Sequence, residues 1–264
     1  MAQLKPHQQK LNVFANIDAL LFAAAKDFAE RACKAVKSTG SFKVALSGGN
    51  TPKLLFDILA SEVDLGIETT IPWQDIYIFW GDERYVPQDN EQSNYFMTDA
   101  HLLSKVPILK KNVFPIPTSS GKPEQDALKY AKTIRKVFQV KPNEVPVFDL
   151  VYLGMGADGH TASLFPGTDV VKSLVAGDDF HHQLVAALWV EKVKMYRISF
   201  LPELINQAKS IVLLVTGADK APALNNVVCG KYQPENYPVQ LIKEQNGEKI
   251  WFVDKASVSM LDNI

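Results

Sequence analysis

Three times in this chain a run of apolar strand formers ends in glycine and polar residues, then turns into a helical pattern: "VALSGGNTPKLLF", "LVYLGMGADGHTASLF" and "VLLVTGADKAPAL". A fourth run, "IYIFWGDERYVP", ends in two acids and an arginine. The segments "IYIFW", "LVYLG" and "IVLLV" are almost continuously apolar. Such runs suit parallel strands covered on both faces better than half-exposed antiparallel ones. The repetition predicts an α/β fold: an open, largely parallel, doubly wound sheet flanked by helices, with a small additional β/α portion. In sheets of this kind the loops at the carboxyl ends of the strands gather on one edge, where ligands bind.

The remaining segments fit that plan. Asn16–Val36 has helical apolar spacing, with Asn16 or Asp18 as its N-cap. Pro52 falls in the first turn of the helix that follows "FKVALSGG". "NEQSNYFMTDAHLL" and Lys122–Phe138 read as helices, and "HQLVAALWV", "RISFLP", "VQLIK" and "KIWFVD" as further strands. Ser104–Pro123 carries four prolines and is expected to cross the surface. The 264 residues contain no long linker, charge run or low-complexity stretch, so residues 1–264 read as one domain.

A net charge of −1 gives no overall positive field for nucleic acid or an anionic membrane. Neither an apolar signal core nor a run of membrane-spanning length is present. The two cysteines, Cys33 and Cys229, match no disulfide framework, zinc pattern or redox pair. A cytoplasmic location is the expectation.

Gly154-Met155-Gly156-Ala157-Asp158-Gly159 satisfies G-x-G-x-x-G, the letters of a dinucleotide fingerprint. Its context does not agree. A dinucleotide site needs a long helix after the glycines and a second strand ending in an acid for the ribose. Here a helix starting near His160 would meet Pro166-Gly167 within two turns, and Asp178 and Asp179 precede the next strand. The glycines suit a sharp turn at the strand end, one that lets a ligand approach the backbone and carries Asp158 and His160 to the sheet edge.

Histidine moves protons readily at cellular pH, and a neighbouring carboxylate can orient its ring. Taken alone, Asp158 and His160 read more readily as a helix cap and a polar loop residue than as a proton-transfer pair. "SGGNTP" (Ser47–Pro52) offers a hydroxyl, backbone N–H groups and a helix start, which together suit an anion. It lacks the Walker pattern, so a nucleoside triphosphate is not expected. Lys220 stands at another strand end and Arg197 at a strand start. The three charges of "GDERYVP" close a buried strand, so they must be paired structurally or be functional. An anion cradle, several cations and one histidine beside an acid fit acid–base chemistry on a small phosphorylated metabolite. No cofactor and no metal cluster is implied.

Together these segments resemble the 6-phosphogluconolactonases of the glucosamine/galactosamine-6-phosphate isomerase superfamily. The likeness runs through most of the chain: the S-G-G-x-T-P loop, "FWGDERYVP" at Phe79–Pro87, "SNY" at Ser93–Tyr95 and "GMGADGHTASLFPG" at Gly154–Gly167. The resemblance implies hydrolysis of 6-phospho-D-glucono-1,5-lactone to 6-phospho-D-gluconate in the oxidative pentose phosphate pathway. It casts His160 as general base with Asp158 beside it, and Arg84 near the substrate, on the lactone oxygen or on the phosphate. It gives the phosphate to Ser47, Gly48, Gly49, Thr51, Arg197 and Lys220. The expected partner is the lactone substrate alone, handled by a monomer or weak dimer. Asn50 stands where the family commonly has serine, and "EKVKMY" before Arg197 is poor in proline. Glucosamine-6-phosphate deaminases share the loop and a G-x-G-x-D-G-H segment, but their D-E-Y and G-H-I-A-F-N-E-P give way here to Asp82-Glu83-Arg84 and "GHTASLFP". A non-catalytic sugar-phosphate sensor would be expected to carry a further domain and to lack His160 or Arg84.

Overall fold

A computed structural model describes residues 10–61, 63–67, 70–178, 180 and 183–261. Asp179 and most of the N-terminal stretch lie outside them. The first strand, β1 (Lys10–Phe14), was not apparent in the sequence; its five residues alternate only weakly in burial. Helix α1 (Ile17–Thr39) follows, and its cap is Asn16, whose side-chain oxygen accepts from the Ala19 N–H at 2.9 Å. Asn16→Ala should lower stability by about 1 kcal/mol. Urea unfolding reads that change, and an unshifted midpoint would show the cap to be dispensable.

The chain continues through β2 (Phe42–Leu46), α2 (Asn50–Leu59), β3 (Ile76–Trp80), β4 (Asp82–Arg84) and α3 (Asn94–Thr98), which a π turn extends over Asp99–Leu103. Then come β5 (Val113–Phe114), α4 (Pro123–Phe138), β6 (Leu150–Gly154), α5 (Asp169–Ala176), β7 (Val185–Val190) and β8 (Met195–Phe200). The last elements are α6 (Pro202–Ile205), β9 (Ser210–Val215), α7 (Ala221–Val228) and β10 (Glu248–Asp254).

Seven strands form one sheet in the order β1-β10-β9-β6-β2-β3-β5, and every pairing in it is parallel. The apolar runs are its centre: all six residues of β9 are buried, as are four of the five in β6. Helix α1 covers one face with Leu20, Ala24, Phe28 and Ala32, spaced one turn apart and fully buried. Phe28 meets Phe42 edge-on at 5.5 Å and stacks on Tyr152 at 6.4 Å. Around Phe79, the rings of Phe114, Phe138 and Phe148 close a second aromatic cluster.

The chain winds outward from β2 through β3 to β5, and in the opposite direction from β6 through β9 to β10. The reversal falls between the neighbours β2 and β6, paired at Val44–Leu150 and Ala45–Val151. A crevice outside the carboxyl ends of the strands at such a reversal is where open α/β sheets bind ligands.

The small additional portion is a three-stranded antiparallel sheet, β4-β8-β7. "IYIFWGDER" is therefore two strands and not one. Gly81 breaks it, and its N–H still donates to Leu46 at 2.9 Å while its carbonyl accepts from Phe200 at 2.7 Å. Arg197 lies inside β8, not at a strand start. "VQLIK" is a short 3₁₀ turn, Pro238–Leu241, because the proline that opens it has no N–H for a ladder. No helix begins at His160; Thr161 and Leu164 form an isolated bridge, and α5 starts only at Asp169. The proline-rich stretch contributes the two residues of β5 at the sheet edge. Among the described residues no helix is long and apolar enough to cross a membrane.

Candidate active site

The loops after β2, β6 and β9 meet β4 and β8 around a cavity of about 420 Å³ at the reversal of strand order. After β2 the backbone turns at Gly49, φ 105°, and opens α2 with no side-chain cap. Ser47 through Pro52 line the cavity there. Uncapped N–H groups and the positive end of the helix dipole favour an anion at this point. Thr51 and Thr216 join hydroxyls at 2.9 Å, tying the β2 loop to the β9 loop. A Cβ on Gly48 would lie 1.9 Å from Asn94 Oδ1, so only glycine lets α3 approach this closely. From the β9 side Lys220 reaches the cavity, its Nζ 2.6 Å from Asp219 Oδ2.

The β6 loop brings His160 to the same cavity. Its Nδ1 lies 2.5 Å from Asp158 Oδ1, and its ring stacks on Phe165 with centroids 4.1 Å apart. The second Asp158 oxygen meets Lys192 Nζ at 2.7 Å. The bond to the imidazole, and then the Lys192 ammonium, hold the Asp158 carboxyl well below the usual carboxylate range despite its partial burial. An ionised carboxylate only accepts, so Nδ1–H donates to it and Nε2 is the nitrogen left for the cavity. Gly156 makes room for this pair: a Cβ there would stand 2.1 Å from His160 Nδ1 and 2.7 Å from Asp158 Oδ1.

A carboxyl with a depressed native pKa adds stability above its unfolded value, and that stability is lost as pH falls toward the native value. The stability lead of the protein over Asp158→Asn should therefore shrink as pH drops below about 5, passing the unfolded carboxylate value of about 3.9. Thermal melts of both proteins across that range measure it; a constant difference would place Asp158's contribution elsewhere.

Arg84 and Arg197 are directly opposite in the β4–β8 ladder. Like charges so placed repel each other. Arg84 donates through Nη1 to Gln92 O at 2.6 Å, while Arg197 leans over the Phe165 ring at 6.0 Å. Both Nε atoms are buried without a hydrogen-bond partner. Burial, with the Arg84 cation adding to it and Asp82 opposing, pushes the Arg197 guanidinium below its ordinary value. Two neighbouring cations with unsatisfied buried donors are a destabilising arrangement until an anion neutralises them.

The two acids before Arg84 are structural. Glu83 is 1% exposed and accepts from Ser93 Oγ and from the N–H groups of Arg84, Asn94 and Tyr95 at 2.7–3.0 Å. Burial pushes its carboxyl up, opposed by the three backbone donors and helped by the neighbouring Asp82 charge. It thereby pins the start of α3 beneath the cavity. Asp82 accepts from Ser163 Oγ at 2.6 Å, and the Ser163 N–H donates to Ser199 Oγ at 3.2 Å, which clamps β4, β8 and the histidine loop together.

The fold thus gathers Ser47, Gly48, Gly49, Thr51, Arg84, His160, Arg197 and Lys220 around one cavity, with Asp158 just behind His160. Asp158 does not cap a helix. Asn94, Thr216 and Lys192 join the site without having been singled out as site residues. Asn94 sits within "SNY", a signal that was visible; the other two depend on contacts across the fold.

Residues 15–251 match the family model described as glucosamine-6-phosphate isomerases/6-phosphogluconolactonase. A 6-phosphogluconolactonase of Synechocystis sp. is 40% identical over 94% of this chain and 96% of its own length. The structure of 6-phosphogluconolactonase from Trypanosoma cruzi superposes with a TM-score of 0.80 at 28% identity, covering 97% of each chain. A monomeric glucosamine-6-phosphate deaminase shares the fold at a TM-score of 0.76 and 18% identity, covering 96% of this chain and 100% of its own. The fold is the α/β fold of these proteins, a mostly parallel sheet with a small antiparallel one beside it. The chain belongs to the glucosamine-6-phosphate isomerase/6-phosphogluconolactonase family.

Proposed function

We propose that this protein is an enzyme of the oxidative pentose phosphate pathway that hydrolyses 6-phospho-D-glucono-1,5-lactone to 6-phospho-D-gluconate. The observation that carries the reading is that His160, braced by Asp158, lines one cavity with an uncapped helix start and two arginines whose buried Nε atoms have no hydrogen-bond partner among the described residues. The names of the relatives at up to 40% identity agree with it.

The phosphate sits on the Ser47–Thr51 loop, held by the Gly48 and Gly49 backbone, the Ser47 and Thr51 hydroxyls, Lys220 and Arg197. That anchors the sugar with its lactone carbonyl toward His160. His160 Nε2 takes a proton from water as the water attacks the carbonyl carbon, and Asp158 stabilises the imidazolium. Arg84 lies against the oxygen that gains negative charge. As the intermediate collapses, the ring oxygen leaves and recovers the proton from His160. A δ-lactone is an activated ester, so positioning, one base and one cation suffice, with neither metal nor covalent intermediate. The whole chain acts as one sugar-phosphate-binding domain, a monomer or weak dimer of the cytoplasm, with no nucleic-acid or membrane partner.

The test is acid release from freshly generated 6-phosphogluconolactone above the spontaneous background, with glucono-1,5-lactone alongside. Phosphorylated lactone should be preferred at least about tenfold, since one hydrogen bond to a charged group contributes about 1.5–3 kcal/mol. Turnover of glucosamine 6-phosphate with no lactone hydrolysis would sink the reading in favour of a deaminase-like isomerase. Tight lactone or product binding without turnover would favour a sensor.

A further inference from the structure

We infer that Lys192 is a positioning residue for the histidine–carboxylate pair, holding the far oxygen of Asp158 and offsetting its charge, so that the carboxylate draws a proton onto His160 less strongly than it would alone. The inference rests on the proposed hydrolysis only for its kinetic readout.

Asp158 is shared by two partners on its two oxygens. Oδ1 faces His160 Nδ1 at 2.5 Å and its backbone N–H at 3.3 Å, and Oδ2 faces Lys192 Nζ at 2.7 Å. The carboxylate is therefore fixed before Lys192 arrives, so the lysine need order only its own chain. That chain starts from a braced turn. Lys192 lies in the 3₁₀ turn Glu191–Val193 that joins β7 to β8. Trp189 Nε1 donates to Glu191 Oε2 at 2.7 Å, and Lys194, in the left-handed region at φ 49°, pairs with Glu191 Oε1. The same hairpin delivers Arg197 to the cavity, so one element supplies both that arginine and the cation on Asp158.

The electrostatic direction is set by the full surroundings. From the cavity side Arg84, Arg197 and Lys220 oppose a positive imidazole, while Asp82 and Asp219 favour it; beneath the loop, Tyr237 packs on Gly159. Asp158, in direct contact, favours it most. Lys192 is the cation bound to that carboxylate. Removing it leaves the Asp158 charge unbalanced while the hydrogen bonds from His160 still hold its near oxygen, so the carboxylate draws a proton onto the imidazole more strongly.

Two readouts test this. The His160 ring resonances, assigned with His160→Gln and titrated by NMR in the free protein, should move to a midpoint higher by roughly half a unit in Lys192→Met, as expected for one screened charge at this range. Lys192→Arg should restore the wild-type midpoint. In steady state the acid limb of kcat/KM for 6-phosphogluconolactone should shift upward by the same amount in Lys192→Met and return in Lys192→Arg, with unchanged thermal stability. Identical titrations in wild type and Lys192→Met overturn the inference. Equal loss in the Met and Arg variants also overturns it, because the turn and not the charge would then be responsible. A wild type without lactonase activity defeats the proposed function, yet the NMR arm still decides the role of Lys192.

Discussion

His160→Ala should lower kcat/KM for 6-phosphogluconolactone by about a hundredfold to ten-thousandfold, the range expected for a lost general base. The geometry makes this the largest single effect. The Asp158 carboxylate accepts from Nδ1 in either protonation state, so the tautomer is fixed and the Nε2 lone pair is left to take a proton. Phe165 stacked at 4.1 Å restrains the ring plane. On the proposed mechanism alanine removes base, tautomer control and stack together and leaves the proposed phosphate loop untouched, so the loss should fall on kcat. A fast wild type with an equally fast variant would leave the lactonase assignment standing and move the base elsewhere. A loss confined to KM would make His160 a binding residue.

Gly156→Ala should approach the same loss without touching a reacting group. The added Cβ would stand 2.1 Å from His160 Nδ1 and 2.2 Å from Cε1, far inside contact distance. The nearest atoms belong to a side chain at the edge of the sheet, so the ring moves and the sheet does not. A displacement of about 1 Å at a catalytic group can cost about a hundredfold in rate. Activity should fall by that order while the thermal midpoint shifts only a few degrees, in keeping with a surface-loop substitution away from the core. Wild-type activity in Gly156→Ala would mean that imidazole and carboxylate relocate as a unit and keep their aim. A collapse in stability would mean that the glycine serves the fold.

Gly156 also explains why the dinucleotide letters appear without a dinucleotide site. Its missing side chain admits the imidazole and carboxylate, and Gly159, at φ 78°, accommodates Tyr237. The spacing matches because both uses need a chain that reverses sharply at a strand end. A long helix directly after the glycines would mark the dinucleotide use, and here none begins before Asp169.

The parallel sheet was legible because strands buried on both faces must be almost continuously apolar, and β3, β6 and β9 are. The cradle and the D-x-H pair were legible because glycine, hydroxyl, acid and histidine lie within a few residues of one another. Local chemistry of that kind is written in order along the chain. The sequence by itself determined the sheet class, the amphipathic helices and which residue types stand at the strand ends. Only the tertiary structure decided which of those ends become neighbours. The reversal between β2 and β6 placed Ser47 and His160 on one cavity. The break at Gly81 turned Glu83 into a cap for α3 and set Arg84 opposite Arg197. The turn between β7 and β8 brought Lys192 to Asp158, 34 residues away. Strand order and the pairing of distant charges depend on how the whole apolar surface is buried, which no local pattern encodes.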